Sequence, residues 1–211
     1  MAIISKGILG GFHGKVGEIV GSSWRGINVI RSLPKRVKRA STEKQIIQRA
    51  KFSLVIAFIK PLREFLLKSY NDRSLKQLTS TNLISSEILR EAVKGEYPNL
   101  ILDYSKITIS KGSLTQLPDL NYVKTEKTLD LTWKSNEGLL GETKALNVFG
   151  IIFSEKNRNF SLIKIGTYNL LKGSINLDTY KKGEKFVVWL FNSDEPNVKF
   201  SDSIFLGEFV L

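Results

Sequence analysis

The hydrophobic positions of this chain change their period along its length. Between residues 41 and 95 they recur every three or four residues. Ile47, Ala50, Leu54, Phe58, Leu62 and Phe65 therefore share one face of a predicted helix. Ser41 or Thr42 offers an N-cap, and Glu43 an acidic first turn. Pro61 lacks an N–H and crowds the preceding turn, so a kink or break is predicted there. A second helix is predicted from Ser85 or Ser86 to Lys94, with Gly95 just past its end. The polar run NDRSLKQLTSTN between the two reads as a loop.

From about residue 98 the period becomes two. NLILDYSKITIS, KTLDLTWKS, ALNVFGIIFSE, FSLIKIGTY, GSINLD, KFVVWLFNS and SIFLGEFVL are the candidate strands, separated by turn signals such as SNEG, SEKNRN and YKKGE. Such a succession predicts an antiparallel sandwich. Leu129, Leu131 and Trp133 alternate inward, Val187, Trp189 and Phe191 share a face, and both tryptophans read as core. Before residue 41 the pattern is weaker. VGEIV and INVIRS read as two strands or an extended ribbon, ended by Pro34. Gly7, Gly10, Gly14, Gly17 and Gly21 have helical spacing, but each glycine costs a helix about 1 kcal/mol. An arm in which Gly10, Gly14, Gly17 and Gly21 let another backbone approach closely fits better. The predicted class is α+β. A Gly-rich N-terminal β-arm and helical segment fill residues 1–97, and an antiparallel β-sandwich fills 98–211.

Composition narrows the chemistry. With 211 residues, 42% of them hydrophobic, a sizeable core forms without staples. Cysteine is absent, which removes disulfides, thiolate nucleophiles and Cys-based metal sites. No apolar run approaches the ~18 residues of a membrane span. The start, MAIISKGILGGFHGK, is broken by Lys6 and Gly7 and does not read as a signal peptide. The expectation is a cytoplasmic product, or one incorporated into a virion-like particle.

Charge is unevenly placed. Of the net +12, residues 1–100 hold 18 Lys/Arg against 7 Asp/Glu, and the remainder is nearly neutral. Lys35, Arg36, Lys38 and Arg39 form the densest cluster, with Arg25 and Arg31 close by and Trp24 the one aromatic placed to stack. A basic stretch of this kind contacts an acidic or polyanionic partner, or forms a solvated face. The candidate contact residues are Trp24, Arg25, Arg31, Lys35, Arg36, Lys38 and Arg39. Their partner is a protein subunit or a single-stranded nucleic acid.

Candidate catalytic signals are few. Gly14-Lys15 suggests a phosphate-binding loop, but Leu9 and Val16 stand where that motif needs Gly and Ser/Thr. His13, the only histidine, has no local acid to orient it. No catalytic residue, metal site or cofactor is expected.

GILGGFHGKVGEIVGSSWRGINVIRSLPKR, STEKQIIQRAKFSLVIAFI, YPNLILDYSKITISKGSL and KFVVWLFNSDEPNVKFSDSIFLGEFVL together resemble a family of uncharacterised Bacteroidota proteins of about this length, a domain of unknown function. Arg31, Pro34, Thr42, Gln45, Arg49 and Phe52 are similar to a pattern near the start of some phage and prophage virion proteins. TLDLTW and FVVWLFNSDEPNVKFSDSIFLG resemble fibronectin type III or immunoglobulin-like modules, which mostly mediate contacts. These likenesses imply a non-enzymatic structural or assembly protein, of a phage or phage-derived particle, docking through its basic N-terminal arm. The alternative is a nucleic-acid-binding protein using the same segment. A third reading is a carbohydrate- or surface-binding module built on the sandwich, which exposed aromatics such as Tyr168, Tyr180 and Phe200 would favour.

Overall fold

The computed structural model describes residues 2–4, 11–24, 26–35, 40–70, 79–135, 146–178, 180–181, 183–194 and 199–211. It combines α-helices with antiparallel sheets and divides into two compact units, Met1–Thr42 and Glu43–Leu211. The boundary expected at 97/98 runs instead through a single hydrophobic core, because the helices bury their apolar faces on a strand layer of the second unit.

The first unit is a four-stranded antiparallel meander in chain order, of β1 (Ala2–Ile4), β2 (Phe12–Val16), β3 (Ile19–Trp24) and β4 (Ile27–Ser32). Val16 pairs with Ile19 and Trp24 with Ile27, so both later hairpins close through two-residue loops. Gly17 at φ +57° and Gly26 at φ +83° supply the left-handed backbone that such loops demand. VGEIV therefore straddles a hairpin turn instead of forming one strand.

In the second unit, α1 (Glu43–Ile59) runs into a 3-10 turn (Lys60–Leu62) and then α2 (Arg63–Ser69). Pro61 sits in that turn, as the missing N–H requires. Of the predicted stripe Phe58 and Leu62 are buried, while the other deep positions fall one residue later than predicted. Val55, Ile59, Leu62 and Leu66 lie deepest, with Phe58 beside them, while Ile47, Ala50 and Leu54 are only half-buried. α3 is Ser80–Glu91, not a helix from Ser85 to Lys94. The Thr79 hydroxyl accepts from the Asn82 N–H and caps its start. Val93–Lys94 forms β5, paired with β6 (Ile101–Leu102), so Gly95 serves that short hairpin and caps no helix. Of the predicted polar loop, residues 71–78 lie outside the described residues.

The remaining strands are β7 (Asn121–Lys124), β8 (Thr128–Thr132), β9 (Leu146–Ser154), β10 (Asn159–Thr167), β11 (Lys172–Asn176), β12 (Lys185–Asp194) and β13 (Ile204–Val210). They form a four-stranded sheet, β10-β9-β12-β13, and a three-stranded sheet, β11-β8-β7. The sequence predicts a strand over 99–110 and none at 121–124. In the structure the former holds only β6 and a 3-10 turn (Tyr104–Lys106), which the Asp103 carboxylate caps through the Ser105 N–H. β7 escaped notice because it is an edge strand with every residue exposed, so burial imprints no alternation on it.

The central strands of the four-stranded sheet, β9 and β12, are buried on both faces. Ile151, Phe153, Val187, Trp189 and Phe191 meet the helices. Val148, Ile152, Phe186, Val188 and Leu190 meet Leu129, Leu131, Trp133 and Ile175 of the three-stranded sheet. Trp189, fully buried, donates from Nε1 to the Ile107 carbonyl at 3.0 Å and packs near Phe58, Tyr104 and Phe205. Trp133 donates to the Tyr168 carbonyl at 2.8 Å. Replacing Trp189 by alanine should cost about 3–5 kcal/mol in urea unfolding. A loss below ~1 kcal/mol would show that the helices do not depend on this face.

Glu184 pins the entry to β12. It is 8% exposed and accepts from the Ser154 hydroxyl at 2.5 Å and the Lys181 N–H at 3.1 Å. These donors, the hydroxyl foremost, hold its carboxyl below the ordinary glutamate value. A depressed folded value stabilises above the unfolded pKa and is lost as pH falls through the folded one. Urea unfolding at a series of pH values should therefore find Glu184→Gln less stable than wild type at neutral pH, with the gap closing on acidification. A gap independent of pH would assign the loss to packing.

Candidate docking surface on the N-terminal sheet

Paired residues of adjacent antiparallel strands share a face, so the register of the first unit sorts its side chains. One face carries His13 and Lys15 from β2, Val20, Ser22 and Trp24 from β3, and Ile27, Val29 and Arg31 from β4. The other carries Phe12, Val16, Ile19 and Ile30, together with Gly14 and Gly21. Both faces carry exposed apolar side chains: Trp24 is 49% accessible, Ile27 44%, Val16 53% and Ile30 66%. Gly21 is the close-packed point. A Cβ there would lie 2.3 Å from the Phe12 carbonyl oxygen and 2.5 Å from its ring.

The field over this unit is positive. Residues 1–42 contain eight Lys/Arg and a single acid, Glu18, a net +7. Lys15, Val20 and Arg31 form one row across the sheet, since Lys15 pairs with Val20 and Val20 with Arg31. The structure thus brings two of the sequence-derived contact residues, Trp24 and Arg31, onto one face. Lys35 is exposed beyond the end of β4. Arg25, Arg36, Lys38, Arg39 and Gly10 lie outside the described residues. Gly14 (φ +107°) and Gly17 (φ +57°) occupy positive-φ positions. Sequence reasoning missed Lys15, Ile27, Val29 and Ile30. The signal that finds them is the pair of Gly-containing two-residue loops, VGEI and WRGI, which fix the register and hence the faces.

Other sequence signals resolve differently. Gly14-Lys15 lies within β2, not on a strand-to-helix turn, and His13 is exposed on the same strand. Tyr168 and Phe200 are buried and Tyr180 stacks on Phe186, so these three form no exposed aromatic platform. Among the described residues no group of three His, Asp or Glu is placed to hold a metal ion. No described helix is long and apolar enough to cross a membrane.

The second unit has two further features. A cleft of about 530 Å³ opens between α2 and the four-stranded sheet, lined by Phe65, Leu67, Phe149, Leu162, Phe191 and Phe200 with Glu64 and Lys68 at its rim. Tyr70, buried, donates its hydroxyl to Glu87 Oε2, while Lys111 Nζ bridges to Glu87 Oε1 at 3.0 Å. Burial first, then the Glu87 carboxylate, pushes the Tyr70 hydroxyl far above its usual range, so it stays a proton donor. This knot ties α2 and α3 to the segment after Ile109.

These observations define a two-unit α+β protein with a basic, apolar sheet and a separate helix-backed strand body. Residues 11–207 match the family of unknown function DUF6266, and the chain belongs to that family. No curated protein matches it.

Gly21→Ala should destabilise the first unit by about 1–3 kcal/mol through overpacking. Hydrogen exchange of β2 and β3 reads this directly, with the second unit unaffected. Unchanged protection would mean Phe12 does not sit over Gly21.

Proposed function

We propose that this protein is a non-enzymatic structural or assembly component, of a phage or phage-derived particle, that docks onto protein subunits through its N-terminal sheet. One observation carries this reading: a single-layer sheet with exposed apolar side chains on both faces. A nucleic acid needs one cationic, stacking face. Cover on both faces is what a protein interface supplies, and exposed apolar patches of this kind mark such sites. The likeness of Arg31, Pro34, Thr42, Gln45, Arg49 and Phe52 to virion proteins supports the particle setting.

The second unit fits a fibronectin type III-like module. Strands β7 to β13, lettered A, B, C, C′, E, F and G, fall into sheets E-B-A and C′-C-F-G, and the two sheets share one core. Such modules act as contact-making spacers, although fold alone fixes no function.

A photo-crosslinking residue at Trp24, and separately at Tyr122 on β7, in cells that naturally make the protein tests the reading. Trp24 should crosslink to protein, in a sedimenting fraction that high salt does not disperse. Crosslinking of Trp24 to nucleic acid, released by salt, would move the nucleic-acid reading to first place. Crosslinks from Tyr122 alone would remove the N-terminal sheet as the docking element.

A further inference from the structure

Resting on the reading of the first unit as a protein-docking element, we propose that β4 is a strand-addition site for an extended acidic segment of a partner protein. The ladder of that site consists of the outward backbone groups of Asn28, Ile30 and Ser32.

The hydrogen-bond pattern follows from the loops. The residues flanking a two-residue hairpin loop exchange both backbone bonds, and the pattern then alternates. Trp24 and Ile27 flank such a loop, so Ile27, Val29 and Arg31 turn their N–H and C=O groups toward β3. The Leu33 N–H donating to the Glu18 carbonyl at 2.7 Å continues the same alternation. Asn28, Ile30 and Ser32 therefore aim their backbone groups away from β3. β4 is one of the two outer strands of this sheet, β1 being the other, and all six of its residues are exposed.

Natural sheets blunt such edges with bulges, lysines, prolines or brevity. The outer strands of the second unit follow this rule. β10 is bulged between Lys164 and Gly166, and the β12–β13 register shifts between Val188 and Trp189. β7 has four residues and ends in Lys124, and β11 begins with Lys172. β4, INVIRS, has no bulge, proline or lysine and is rich in β-branched residues; its one charge, Arg31, disfavours a second copy but attracts an acidic strand. β1, the other outer strand of this sheet, has three residues, and β5 and β6 have two each, so brevity blunts them and β4 is the longest edge without such a device among the described strands.

Charge selects the occupant. The unit carries +7 with one acid, so edge-to-edge pairing of two copies would bring like charges together. An acidic strand is attracted instead. Its carboxylates extend the row of Lys15, Val20 and Arg31, and the apolar residues that alternate with them fall on the opposite face, beside Ile30. Backbone bonds supply affinity and alternate side chains supply selectivity, as in other strand-addition complexes.

The test uses the full chain and synthetic peptides as long as β4: alternating Val/Glu, alternating Val/Lys, and the Val/Glu peptide N-methylated at alternate amides in either phase. The Val/Glu peptide should bind, weaken with salt, and slow exchange of the Asn28, Ile30 and Ser32 amides. One of the N-methylated phases should lose about tenfold or more in affinity. Ile30→Pro removes an outward donor and leaves the β3 ladder intact, so it should abolish binding while exchange of β2 and β3 stays slow. Should that variant unfold, the N-methylated peptides still decide. Equal binding of all Val/Glu peptides would overturn edge addition while leaving docking on the faces intact. A salt-resistant dimer of the chain alone that protects the same amides would replace the acidic partner by a second copy. Tighter binding of oligothymidylate, competing with the peptide, would sink both this inference and the protein-docking reading.

Discussion

The central strands β9 and β12 are buried from both sides, and the second unit is organised around that constraint. Phe186, Val188 and Leu190 face one core while Val187, Trp189 and Phe191 face the other. A strand pair of this kind needs a layer above and a layer below. The helices supply one and the three-stranded sheet the other. Trp189 couples its layer to the segment before β7 by donating to Ile107 across 82 residues of sequence. Buried donors that must be satisfied thus add direction to an otherwise non-directional apolar force.

The first unit has the opposite character. It is a single layer with no comparable double burial: β4 is exposed along its whole length, and β2 and β3 are only partly covered. A few short strands gain stability from a covered apolar face, which here is exposed. The compact second unit serves as a stable body, and the first presents unsatisfied surface. That contrast is what the proposed docking role of the N-terminal sheet rests on, and the surplus of cations there adds long-range attraction for an acidic surface.

Much of the second unit was legible in the sequence. The strands around Leu129, Phe149, Ile163, Ile175, Trp189 and Phe205 were readable because each alternates or runs continuously apolar, and Pro61 marked the helix break by its covalent structure. The errors have definite causes. β7 lacks a buried side, so nothing in its side chains records the pairing. α3 starts at Ser80, just after the Thr79 cap, because a hydroxyl cap inside a polar run outweighs the later serines. In the candidate site, Trp24 and Arg31 were legible as chemistry, but their shared face was not, since the pairing of β2, β3 and β4 depends on two short loops.

By itself the sequence determined the α+β class, the period of each segment, the helix break, the absence of thiol chemistry and the concentration of positive charge in the first half. These follow from local properties: side-chain period, ring constraint and composition. Only the tertiary structure decided that the helices belong with the strands and not with the glycine-rich segment. It alone placed Val187, Trp189 and Phe191 against helices and not against a second sheet, and put β4 at the edge of its sheet. Those outcomes depend on which distant surfaces meet, and local periodicity carries no record of which partner an apolar face will find.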